Sequence, residues 1–215
     1  MLFLKSVLLL CLCLLSQGRN VEKTSTKSKP SKPRRQRGAN SGDGLGLSLW
    51  MASSTGDLDG VNTWLETTST EKLNERGSGG QTPLMAACLA GHADVVMALL
   101  EAGADPSVGE QQKYTCLHGA GFQGRASVIR AIHASRFAGV VPNAPHEDDG
   151  FAPIHRAAWG REPRHAEALQ AFLDIGVPHD LAAASTGETP RDLALKTNFK
   201  GTLEVLDKFH DKSDL

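Results

Sequence analysis

The fold is decided by residues 81–105, which read QTPLMAACLAGHADVVMALLEAGAD. Thr82 stands where a helix N-cap is favoured, and Pro83 follows at the first helical position, where its missing N–H costs nothing. Gly91 interrupts this helix. Beyond it, apolar residues recur at the spacing of a second helix, at Val95, Val96, Leu99 and Leu100. Gly103 is expected to end that helix in the left-handed conformation, so the stretch predicts helix, tight turn, helix and loop.

The same frame recurs along the chain. Residues 114–121, 151–158 and 188–195 repeat the pattern of residues 81–88. Its anchor positions are spaced by 33, 37 and 37 residues, at Pro83, Cys116, Pro153 and Pro190. A weaker copy comes first, since residues 56–66 align with residues 91–101 at an offset of 35. We therefore expect five units over about residues 45–209, and an array of three or more is stable on its own.

Residues 82–87, the Gly91-His92 turn and residues 95–105 together resemble the ankyrin repeat, whose period is 33 residues and whose signature is T-P-L-H-x-A. The resemblance covers residues 46–209 and implies an all-α solenoid of helix-turn-helix units, the outer two being degenerate caps. Several positions depart from the pattern, namely Met85 for His, Cys116 for Pro, Ala152 for Thr, Arg191 at an apolar position and a stretched turn at residues 160–164.

The first 18 residues have the layout of a secretory signal peptide. Lys5 precedes an apolar run at residues 7–15, and residues 16–18 supply small residues at a cleavage site. The run is shorter than the ~20 apolar residues that cross a bilayer, so we expect a soluble mature chain in the endoplasmic reticulum lumen or outside the cell. Arg19 and Lys23 follow the run at once, which leaves an uncleaved anchor or an organelle transit peptide as alternatives.

The charge of the chain is divided between two segments. Residues 19–40 carry eight basic residues and one acid, whereas residues 41–215 carry 14 basic and 23 acidic residues. We predict a disordered arm at residues 19–45, because it has too few apolar residues to form a core. Its basic run, residues 29–37, is open to interpretation as a linker, a nuclear or nucleic-acid patch, a processing site, or a segment that contacts the acidic body. The acidic body favours a basic protein partner over nucleic acid.

The C-terminal tail, residues 210–215, ends in Lys-Ser-Asp-Leu. This ending is similar to the lumenal retention signal K-D-E-L in its lysine, its penultimate acid and its leucine. A charged tail without that role is the alternative.

The sequence offers little catalytic chemistry. It has no Gly-rich phosphate loop, no His-Glu-x-x-His helix and no Gly-x-Ser-x-Gly elbow, so we expect neither catalysis nor a cofactor. Residues 146–149 are interpreted as a solvated turn rather than a metal site, because consecutive ligands cannot all converge. His118 and His155 take the signature histidine position, which the resemblance assigns to hydrogen bonds with the backbone between repeats. Cys88 should lie deep on the first helix of one unit, whereas Cys116 begins the first helix of the next. A bridge needs Cα atoms within about 7 Å, and this offset argues against it, so we expect two buried free thiols.

The candidate binding residues form two periodic sets. The sixth position after each anchor, which the resemblance places on the concave groove, holds Leu89, Phe122, Trp159 and Lys196. The loop positions at the finger tips hold Gln81, Tyr114, Phe151 and Glu188. Exposed aromatic residues at such positions favour protein binding, although Phe122 and Trp159 could instead cover the edge of the core.

Together these features predict a monomeric, non-catalytic protein-interaction module of the secretory pathway. The alternatives are a cytosolic or nuclear adaptor, and a regulatory subunit of an enzyme or an enzyme with an unrecognised site.

Overall fold

The computed structural model describes residues 45–67, 72–77, 80–110, 113–135 and 141–213, and the predicted signal peptide lies outside them. Within these residues ten helices form five helix-turn-helix units. The first helix of each unit, here called an inner helix, is α1 (Leu45–Thr55), α3 (Pro83–Ala90), α5 (Cys116–Gln123), α7 (Pro153–Ala158) or α9 (Pro190–Thr197). The outer helices are α2 (Leu58–Thr67), α4 (Ala93–Glu101), α6 (Ala126–Ala134), α8 (Pro163–Asp174) and α10 (Lys200–Ser213). The predicted all-α solenoid is confirmed.

The units stack so that inner helices pack on inner helices and outer helices on outer helices. Four inner helices contribute a fully buried alanine at the same repeat position, namely Ala87, Ala120, Ala157 and Ala194. These small side chains let neighbouring helices approach closely, because protein interiors leave little unfilled space. One hydrophobic cluster extends from Leu49 in α1 to Leu206 in α10, so a single core runs through all five units.

The helix ends follow the sequence signals. Thr82 Oγ1 accepts a hydrogen bond from Met85 N at 3.2 Å and caps α3. Gly91 closes the same helix with φ +96°, and Gly103 follows α4 with φ +97°. Asn198 takes the same left-handed conformation after α9, where the Gly-His turn is absent. The predicted caps and turns are therefore confirmed, and asparagine replaces glycine in the last unit.

Cys88 and Cys116 form a disulfide bond, so the expectation of two free thiols is wrong. Their Cα atoms lie 5.7 Å apart. The same register recurs one unit later, where a Cβ added at Gly121, the equivalent of Cys88, would lie 2.5 Å from the carbonyl oxygen of Pro153, the equivalent of Cys116. Neighbouring inner helices are thus staggered so that the sixth residue of one lies beside the first residue of the next, whereas the sequence led us to expect that this offset would keep the two cysteines apart.

The last unit has an exposed end. Arg191 occupies the position of the buried Leu84, and it forms an ion pair with Asp207 of α10 instead of entering the core. A solvated arginine here agrees with the predicted role of this unit as a cap. In the described part of the chain, no helix combines the length and the apolar character needed to cross a membrane.

Candidate functional site

The predicted groove residues occupy the C-terminal ends of four stacked inner helices. Leu89 and Phe122 are half-buried on α3 and α5, whereas Lys196 on α9 is exposed. Trp159, the residue that directly follows α7, is 47% exposed. We call Leu89, Phe122, Trp159 and Lys196 the column. Its apolar members become more exposed toward the fourth unit, and Trp159 offers the largest accessible surface.

The two half-buried members of the column are held by the unit that follows each of them. A Cβ added at Gly119 would lie 2.8 Å from Leu89 Cδ2, so Leu89 packs on the bare backbone of α5. The carbonyl of Leu89 accepts a hydrogen bond from Arg125 Nε at 3.1 Å. The carbonyl of Phe122 lies 3.1 Å from His165 Nε2 in the same way. The backbone at Leu89 and Phe122 is therefore hydrogen-bonded to the unit that follows each of them.

The finger residues divide into two kinds. Gln81 is 8% exposed, and its side chain is hydrogen-bonded to Glu110, so most of its surface is covered within its own finger. Burial in turn raises the pKa of the Glu110 carboxyl. Glu188 forms an ion pair with Lys196, which joins a finger residue to a member of the column.

Tyr114 and Phe151 are brought together by an arginine that sequence reasoning missed. The guanidinium carbon of Arg156 lies 5.6 Å from the ring centroid of Tyr114 and 5.7 Å from that of Phe151. Asp149 binds the same guanidinium, with Oδ2 at 2.6 Å from Nη2. His146 Nδ1 lies 3.2 Å from Asp149 Oδ1. This group ties the fingers of the third and fourth units to α7.

A signal for this group is present in the sequence. Arg156 stands at the repeat position held by Ala86, Gly119 and Leu193 in the other inner helices. A charged residue at a repeat position that is otherwise held by small or apolar residues requires an ionic partner. Asp149, seven residues earlier, could have been named as that partner.

The signature histidines serve as structural donors and acceptors. His118 Nδ1 accepts from Thr115 N at 3.2 Å, and its Nε2 donates to the carbonyl of Phe151 in the next finger at 3.2 Å. His155 repeats the arrangement, accepting from Ala152 N at 3.1 Å and donating to the carbonyl of Leu181 at 2.9 Å. The predicted backbone hydrogen bonds between repeats are confirmed.

The lowered pKa values of His118 and His155 agree with their structural role. Burial, with a smaller contribution from Arg156, lowers the pKa of His118 to about 3. Burial also lowers the pKa of His155. Both rings are therefore neutral near pH 7 and have both nitrogens engaged, so neither is available as a general base. The arrangement is suited to contact and not to proton transfer.

Comparison with known proteins agrees with the architecture. The family model of ankyrin repeats matches residues 49–143 in three copies. A tyrosine-protein kinase of Hydra vulgaris is 30% identical over 139 residues, which cover 65% of this chain and 18% of the kinase. A putative E3 ubiquitin-protein ligase of Arabidopsis thaliana is 32% identical over 149 residues, which cover 64% of this chain and 30% of the ligase.

Protein PhlB of Serratia liquefaciens is 32% identical over 153 residues, which cover 71% of this chain and 63% of PhlB. The chain thus spans less than two thirds of each of these relatives. Their likeness to this chain concerns the repeat segment, and their names describe those whole proteins.

Proposed function

We propose that this chain, whose residues 49–143 match the family model of ankyrin repeats, is a non-catalytic protein-binding module whose contact surface is centred on Trp159. The observation that carries the proposal is the 47% exposure of this indole, the largest of the four exposed apolar side chains among the described residues, which also include Met51, Val141 and Leu195. Covering the remaining surface of one tryptophan contributes about 2–3 kcal/mol to binding. Solenoids use the extended face of their stacked repeats for such contacts.

Contacts within the third and fourth units support the proposal because they hold groups of the column and of α7 in place. The carbonyl of Phe122 is held by His165, and Arg156 is fixed between two rings and a carboxylate. A surface that is already ordered loses little conformational entropy on binding. The ordering cost at these held groups should therefore be small.

A photo-crosslinking amino acid at position 159 tests the proposal in cells that express the protein. We expect one partner to be crosslinked from position 159 and not from Glu167, an exposed residue on the outer helix α8. With that partner purified, Trp159→Ala should weaken binding at least tenfold and leave the melting temperature unchanged. Val141→Ala, which removes another exposed apolar side chain, serves as the control. A fall in melting temperature without loss of binding would instead assign Trp159 to the core.

We further propose that the protein works in the secretory pathway. Two features support this compartment, the signal-peptide layout of residues 1–18 and the disulfide bond between Cys88 and Cys116. Disulfides persist in oxidising compartments and are rare in the cytosol. The alternative is an adaptor of the cytosol or nucleus, where the same cysteines would remain reduced.

Localisation decides between these compartments. A fluorescent protein inserted between Arg37 and Ser41 should enter the endoplasmic reticulum with the intact chain and fail to do so without residues 1–18. Cells lysed in an alkylating reagent should yield a chain with both cysteines unmodified. A nuclear or cytosolic signal from the intact chain, with both cysteines alkylated, would remove the secretory proposal.

A further inference from the structure

We infer that the surface around Trp159 accepts an acidic segment of the partner protein, because Arg125, Arg161 and Arg164 border it. This inference rests on the proposed function and names the chemistry of the partner. The three arginines lie where inner helices end and outer helices begin, directly after the column residues.

The arginines are placed by the stacking of the units. A Cβ added at Gly91 would lie 2.7 Å from Arg125 Cδ, so the stem of Arg125 crosses the end of α3. One unit later, a Cβ added at Gly124 would lie 2.7 Å from Arg164 Cγ, so Arg164 crosses the end of α5 in the same manner. Each arginine thus lies over the glycine turn that comes two residues after Leu89 or Phe122.

These arginines carry more positive charge than their neighbours neutralise. Glu162 pairs with Arg164 at 2.8 Å, and it is the one carboxylate with an ion pair to any of the three within the described residues. Arg125 donates through Nε to the carbonyl of Leu89, which leaves its charge uncompensated. Burial, followed by the charge of Arg164, lowers the pKa of Arg125, so the two guanidinium groups act on one another. A carboxylate placed between them would relieve that repulsion.

The departure from the repeat pattern supplies two of these charges. The second unit turns with Gly91-His92, whereas the fourth turns with residues 160–164, Gly-Arg-Glu-Pro-Arg. Pro163 begins α8 and fixes the backbone of this turn. The stretched turn therefore carries Arg161 two residues after Trp159 along the chain, and it brings Arg164 against Gly124, two residues after Phe122 of the same column.

The local charge differs from that of the whole body. Residues 45–110 contain nine acidic and two basic residues, whereas residues 113–213 contain 12 of each. The excess of acid thus belongs to the first two units, and it underlies the expectation of a basic partner. Trp159, the exposed apolar member of the column, lies in the fourth unit, whose turn carries Arg161 and Arg164.

An acidic peptide segment uses more of this surface than other anions would. Arginine binds carboxylates in a planar, bidentate manner, and an apolar residue of the same segment can cover Trp159. Free phosphate has no apolar group that could cover the indole of Trp159. A nucleic acid needs a longer basic stripe, and in the first two units the chain has an excess of acid instead.

Three labelled octapeptides test the inference against the full chain. They share two leucines and a phenylalanine, and their other residues are glutamate, glutamine or lysine. We expect the glutamate peptide to bind most tightly, with an affinity that falls as salt rises. Arg161→Gln combined with Arg164→Gln should weaken it about tenfold. Arg130→Gln combined with Lys200→Gln, which removes the same charge from outer helices, should leave it within about twofold.

The other outcomes overturn the inference. Tighter Trp159-dependent binding of the glutamine or lysine peptide would leave the proposed function standing and reject the acidic partner. Equal losses in the test and control variants would assign the effect to net charge. A thymidine oligonucleotide that displaces the glutamate peptide, with the same dependence on Arg161 and Arg164, would assign the surface to nucleic acid. Absence of binding by all three peptides would reject the acidic segment, whereas crosslinking at position 159 judges the proposed function separately.

Discussion

Opening the disulfide bond between Cys88 and Cys116 is expected to destabilise the solenoid by about 3.5 kcal/mol. The two cysteines are separated by 28 residues. Closing a loop of this length removes about 12 cal/mol/K of entropy from the unfolded chain, which is about 3.5 kcal/mol at room temperature. Each kcal/mol lowers the melting temperature of a domain of this size by about 2–4 °C, so reduction should lower it by roughly 10 °C.

Urea unfolding followed by circular dichroism measures this difference. The oxidised chain is compared with the same chain in reductant and with a variant that combines Cys88→Ala and Cys116→Ala. Both cysteines are buried, so the variant also loses packing and should be slightly less stable than the reduced chain. The variant must not respond to reductant, which controls for other effects of the reagent.

Two results would refute the reasoning. If oxidised and reduced chains unfold at the same urea concentration while mass spectrometry confirms the bond, loop closure does not govern stability here. If mass spectrometry finds two free thiols after oxidative refolding, the stagger of the inner helices differs from the one described. In that second case the close approach of Gly121 to Pro153 would be in doubt as well.

Three further predictions concern two buried residues, His118 and Gly121, and one half-buried ion pair. The unfolded chain takes up a proton at His118 at about pH 6.5, whereas the folded pKa is about 3. Between these two pH values His118 should therefore contribute a loss of stability of about 1.4 kcal/mol per pH unit, and a His118→Gln variant whose stability falls with the same total slope would contradict this. Gly121→Ala should destabilise the chain by about 1–3 kcal/mol, because its Cβ would meet the carbonyl of Pro153 at 2.5 Å. Helix propensity alone predicts the opposite, a gain in stability of about 1 kcal/mol. Urea unfolding of the variant shows which of the two effects is larger. Asp149→Asn should lower the free energy of unfolding by about 1–3 kcal/mol, because it leaves the charge of Arg156 unpaired. Adding Arg156→Met should recover part of this loss, which a double-mutant cycle measures.

Local sequence signals sufficed for most of the fold. Thr82, Pro83 and Gly91 act within one helical turn of the atoms that they cap, so their effect could be assigned without knowledge of neighbouring units. The role of His118 and His155 was also assigned correctly, because the family resemblance implies backbone hydrogen bonds between repeats at this position. The candidate column follows from the same periodicity, and its residues lie at equivalent positions at the ends of successive inner helices.

Features that depend on how one unit sits on the next could not be predicted in the same way. The disulfide bond was missed because the stagger of α3 against α5 has no local signal. Gln81 was placed among the finger tips by period alone, yet its contact with Glu110 buries it. The exposure of Trp159 relative to Phe122 likewise depends on which side chains of the next unit cover each ring.

The disulfide bond also determines how the chain responds to tension. When a repeat array is pulled from its ends, each unit that opens releases its residues as extended chain. Residues 89–115 lie between the two bonded cysteines, so in the oxidised chain their roughly 90 Å of contour length stays hidden at any force below the rupture of a covalent bond. The bond that stabilises the oxidised solenoid against heat therefore also limits how far the chain can be stretched. Reduction would remove this limit and release the hidden length in a single step.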